Sequence, residues 1–112
     1  MKKYLVLYMA PIAEMEKMMA NSNPEQQKEG MIEWRKWMET HKDMLTDMGA
    51  PLGKTKRVTS SGVTDAKNDV GGYSIVQAES HEEAAKLFQD SPHFQIPGGY
   101  IDVVAIGEMP SA

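Results

Sequence analysis

An α+β fold is what this sequence predicts, and three observations carry the prediction. Short stretches that are apolar on alternate residues stand near both ends and again after the middle of the chain. One long apolar stripe at helical spacing follows a helix-start signal at Asn23-Pro24-Glu25-Gln26. A second start signal stands at Ser80-His81-Glu82-Glu83. The resulting order is strand, long helix, strand, strand, short helix, strand. That is the split βαβ, ferredoxin-like arrangement: a four-stranded antiparallel sheet with two helices on one face.

Residues 3–9 form the first strand. Tyr4, Val6 and Tyr8 alternate with Leu5, Leu7 and Met9, so both faces are apolar and each needs a cover. A lysine-led apolar start resembles a signal peptide, but the run ends at Met9-Ala10-Pro11 without a cleavage site of small residues. Residues 11–22 read as a connection with at most a short helical turn. The long helix is expected over residues 24–48. Asn23 caps it, Pro24 occupies the first turn, and Gln26 can reach back to the cap. Its stripe is Met31, Trp34, Trp37, Met38, His41, Met44, Leu45 and Met48, and Gly49 with Pro51 stops it. A polar strand is expected from Thr55 to Ser60, then a Ser60-Ser61-Gly62 turn and a loop over Asp65 to Asp69. Gly72 to Ala78 is a strand. The second helix buries Ala84, Ala85, Leu87 and Phe88 and ends at Asp90-Ser91-Pro92. Pro97-Gly98-Gly99 turns into a last strand, Tyr100 to Ile106, and the tail from Gly107 has little to pack.

The chain of 112 residues has one domain's length, so residues 1–112 are expected to form a single domain. No apolar run is long enough to span a membrane. The net charge is −4 and the densest basic stretch is Lys54-Thr55-Lys56-Arg57, which argues against nucleic-acid binding. There is no cysteine, hence no disulfide, thiolate ligand or cysteine nucleophile, and a cytoplasmic location is expected. The three histidines lie far apart in sequence and lack zinc spacing, so no metal is expected. The closely spaced Met15, Met18 and Met19 read as flexible gap fillers rather than copper ligands. Gly71-Gly72 and Gly98-Gly99 precede strands rather than helices and are turns, not phosphate loops. No cofactor is implied.

Several segments, taken together, resemble the YCII-related proteins, in particular the DGPF-type branch. They are Val63-Thr64-Asp65, Gly71-Gly72-Tyr73-Ser74-Ile75-Val76, Ser80 to Ala85, Ser91-Pro92-His93-Phe94 and Gly99-Tyr100-Ile101-Asp102-Val103. The resemblance implies a dimeric α/β barrel built from two ferredoxin-like domains. Some relatives carry a proposed catalytic pair, a His on the first helix and an Asp directly before the proline after the second helix. Here Ser91 precedes Pro92, Asp90 stands one step back, and the first helix offers His41 near its C-terminal end.

The residues themselves nominate a site. His93, directly after Pro92, could act as a general acid or base, or could order the turn by bonding a loop carbonyl. Asp102 lies inside the last strand and alternates with Tyr100 and Val104. If Ile101, Val103 and Ala105 meet the helices, Asp102 faces the other side, where a dimer would enclose it. Tyr100, Trp34 and Trp37 are candidate ligand-binding residues, with core packing the alternative for the two tryptophans. His41 reads as a packing residue and His81 as exposed. The reading is a non-catalytic homodimer that binds a small molecule or a protein partner. The alternative is an enzyme acting on a small molecule, with His93 working beside Asp102 or Asp90.

Overall fold

The computed structural model describes residues 1–21 and 23–107; the tail expected to pack little lies, beyond Gly107, outside the described residues. Six strands are described: β1 (Lys2–Met9), β2 (Leu45–Pro51), β3 (Thr55–Thr59), β4 (Gly62–Ala66), β5 (Val70–Ala78) and β6 (Tyr100–Ala105). The helices are α1 (Ile12–Asn21), α2 (Pro24–Thr40) and α3 (His81–Lys86), with a 3₁₀ turn over Pro92–Gln95. Four strands form one antiparallel sheet in the order β2-β5-β1-β6, the ferredoxin-like order, and β3 pairs with β4 as a separate hairpin.

The start of α2 follows the sequence closely. Asn23 accepts from the Gln26 amide at 2.8 Å and Gln26 answers with its side chain, closing the capping box. Its end does not. The helix stops at Thr40 rather than running to Met48, and His41 caps it. Met44 and Leu45 still pack on the core, but Leu45 does so from a strand. Apolar spacing of three and four at Met44, Leu45 and Met48 fits the entry to a bulged strand as well as a helix. Gly49 is therefore not a helix stop. It adopts φ +75° in β2, and a Cβ there would lie 1.6 Å from the Tyr73 carbonyl oxygen. Pro51 ends β2 on the sheet edge, where a missing amide is tolerated.

This moves the second strand of the sheet. The polar segment expected there, Thr55 to Ser60, lies instead in the projecting hairpin, and the loop expected over 65–69 begins as its return strand β4. Residues 12–21 form a ten-residue helix rather than a loose connection. The two helices expected to cover the sheet are thus joined by a third, whose side chains are not buried.

The core lies between the sheet and α2 with α3. Tyr4, Val6 and Tyr8 of β1 and Val76 and Ala78 of β5 meet Trp37, Ala84 and Phe88. Val6 and Val76 retain no exposure, and burying such a side chain contributes about 1.5–3 kcal/mol. Ile101 and Val103 of β6 pack against the same cluster, so Tyr100, Asp102 and Val104 point to the opposite face.

Candidate functional site

The nominated residues fall into three places. His93 is buried with 4% exposure, and its Nε2 lies 2.6 Å from the Met9 carbonyl oxygen. A carbonyl only accepts, so Nε2 carries a proton, and in the neutral ring Nδ1 holds the lone pair. Among the described residues no hydrogen bond reaches Nδ1 and no fully buried side-chain nitrogen or oxygen lacks a partner, so Nδ1 lies at the edge of the buried ring. The Ser91 hydroxyl accepts from the His93 amide at 3.2 Å, and the ring stands 5.6 Å from that of Tyr8. No hydrogen bond joins His93 to Asp102 or Asp90 among the described residues.

The tryptophans belong to the helix-covered side. Trp37 is buried, packs 5.0 Å from Phe88 and 4.5 Å from His41, and donates from Nε1 to Asp90 at 3.2 Å. Trp34 is half-buried with its ring edge-to-face on Tyr8 at 4.9 Å. Beside Trp37 an open groove of about 540 Å³ runs between α2 and the 3₁₀ turn, lined by Glu33, Lys36, Asp90 and Phe94. Gln95 crosses it by donating to Glu33 at 2.7 Å.

Asp102 and Tyr100 lie on the sheet face turned away from α2 and α3. The strand register places Tyr73, Leu7 and Asp102 in one row across that face, Ile75, Leu5 and Val104 in the next, and Met9 beside Tyr100. Leu5, Leu7, Met9, Tyr73 and Ile75 are half-buried; Tyr100 and Val104 are exposed. Adjacent strands lie about 4.8 Å apart, so Tyr73 and Asp102 flank Leu7 across roughly 10 Å. A phenol and a carboxylate at that spacing on an apolar floor can hold the edges of a flat polar ring while its faces lie on hydrocarbon. Asp102 also borders a hollow of about 200 Å³ with Phe88, Phe94 and Ile101 at the sheet edge.

One polar chain escaped the sequence reading. Ser74 donates to the Met48 carbonyl oxygen at 2.9 Å and so must accept from the Tyr8 hydroxyl at 2.8 Å. Burial pushes the Tyr8 phenol above its ordinary range. The available signal was Ser74 itself, a hydroxyl on the buried alternation of β5 that demands a partner. His81, exposed as expected, nevertheless stacks on Tyr4 at 5.0 Å and bonds the Val103 carbonyl oxygen at 2.6 Å.

No family model and no curated protein matches this chain by sequence. Among solved structures it is similar to 5-chloro-2-hydroxyhydroquinone dehydrochlorinase (TftG) from Burkholderia phenoliruptrix, determined in complex with 2,5-dihydroxybenzoquinone. The TM-score is 0.51 at 14% identity, over 89% of this chain and 90% of that one. The likeness establishes a shared fold. Among the described residues no helix is long and apolar enough to cross a membrane.

Proposed function

We propose that residues 1–112 form a single cytoplasmic domain of the YCII-related type. It pairs sheet against sheet with a second copy and binds a small, flat, hydroxylated organic molecule over the open face. The carrying observation is the row Tyr73, Leu7, Asp102, which sets two polar groups beside the apolar Leu5, Ile75, Val104 and Met9. Ligand sites have this character: mostly apolar walls with a few placed polar groups. A second copy supplies the missing wall, since a small protein seldom leaves such a patch to water. The ligand class is supported by the similar fold of a protein solved with 2,5-dihydroxybenzoquinone.

Thermal melts with 2,5-dihydroxybenzoquinone test the reading. The wild type is expected to melt higher with the compound, because a ligand of the native state stabilises it by mass action. Leu7→Glu is expected to sediment as a monomer and lose the shift. Asp102→Asn is expected to stay dimeric with a weaker shift. A shift of equal size in all three proteins, or none in the wild type, refutes the site.

A catalytic reading is favoured by one observation, the His93 ring held through Nε2 by the Met9 carbonyl with Nδ1 left without a partner at the edge of its pocket. In that case the reacting molecule lies against Nδ1 on the helix-covered side rather than over the open face, the imidazole takes a proton from it, and His93→Gln retains binding on the open face while turnover falls.

A further inference from the structure

We propose that the β3–β4 hairpin is an arm that grips a second copy of this chain, a reading that rests on the homodimer proposed above. The hairpin continues from the ends of β2 and β5, and among the described residues no third strand pairs with it. A two-stranded hairpin alone in water is marginal. The molecule as a whole is open: the radius of gyration is 15.8 Å, against about 13 Å for a compact chain of this length. Near its tip Val58 and Val63 stand directly opposite each other and are 74% and 64% exposed. On the same face, two residues nearer the body, Lys56 pairs with Asp65. An apolar cross-strand pair beyond an ion pair is a contact surface without its partner.

Charge selects the occupant. Lys54, Lys56, Arg57 and Lys67 against Asp65 give residues 54–67 a net charge of +3. The whole chain carries −4, so the rest of it carries −7. Lys54 and Arg57 have no ion-pair partner among the described residues. The acidic surface that complements this basic arm is the body of the same protein. The two-fold symmetry of a homodimer makes the contact twice, each arm meeting the body of the other protomer. The arm therefore adds an electrostatic and apolar clamp at a distance from the sheet-to-sheet contact.

Sedimentation equilibrium of the full chain over a range of concentrations decides it. The double variant Val58→Glu with Val63→Glu is expected to raise the dimer dissociation constant about tenfold or more. Lys54→Ala, at an exposed position outside the β3–β4 pairing, is expected to raise it severalfold, and added salt is expected to weaken the wild-type dimer. An unchanged dissociation constant in both variants overturns the arm, including the case in which the hairpin serves some other acidic partner. If Leu7→Glu dissociates the dimer while the arm variants do not, the arm alone is wrong. A monomeric wild type overturns both proposals.

Discussion

The two faces of β1 differ in what they have to do, although they alternate along eight residues of one strand. Tyr4, Val6 and Tyr8 are closed over by Trp37, Phe88 and Ala84, and the polar end of Tyr8 is paired: its hydroxyl donates to Ser74, which donates to the Met48 carbonyl oxygen. Leu5, Leu7 and Met9 are half-covered and meet Tyr73, Asp102 and Tyr100, side chains whose polar ends have no need of the core. The comparison teaches that a strand apolar on both sides need not be doubly buried within one chain. One face fixes the fold, and the other is available to a second molecule.

Mutations on the covered face should show the largest effects. Trp37→Ala removes a buried ring and its bond to Asp90, and is expected to lower unfolding free energy by about 3–5 kcal/mol in denaturant titration. A loss below about 1 kcal/mol would mean that the helix–sheet interface is not the stabilising one. Tyr8→Phe keeps the ring and leaves Ser74 bonded to Met48, so a loss of about 1 kcal/mol is expected. The same variant has a pH signature. Burial raises the folded phenol above the unfolded value of about 10, so on passing that value the unfolded chain sheds its proton first. The stability tied to Tyr8 is complete below about pH 10 and is lost as pH rises through the folded value. Urea titrations on either side of that value should show a steeper loss in wild type than in Tyr8→Phe. The smallest effect belongs to the open face. At concentrations where the chain is monomeric, Leu7→Ala should cost well under the roughly 2–5 kcal/mol of a core leucine. An equal cost would erase the distinction between the faces.

The sequence carried the framework of this comparison and lost particular joints. Alternation in Tyr100 to Ile106 placed Asp102 opposite Ile101 and Val103, and the structure has them so. The capping box at Asn23 and the serine cap at Ser80 marked two helix starts, because those signals are local hydrogen bonds. The end of α2 was not legible. His41-Lys42-Asp43 contains neither glycine nor proline, while the visible breakers, Gly49 and Pro51, serve a bulged edge strand. Nor could the setting of His93 be read, since the carbonyl that holds it belongs to Met9, 84 residues earlier. Alternation reports which face a residue takes, and it is silent on partners brought in by topology.

The two tryptophans of the chain give the molecule an optical gauge of its own packing. Their rings meet edge-on at 6.2 Å, one against Tyr8 of the sheet and the other tucked between Phe88 and His41. Two indoles held so close and so unequally screened from water are expected to emit at different wavelengths and to couple their near-ultraviolet transitions. Any event that pries α2 from the sheet therefore reddens the emission and collapses the aromatic dichroism, before the helix itself has unwound.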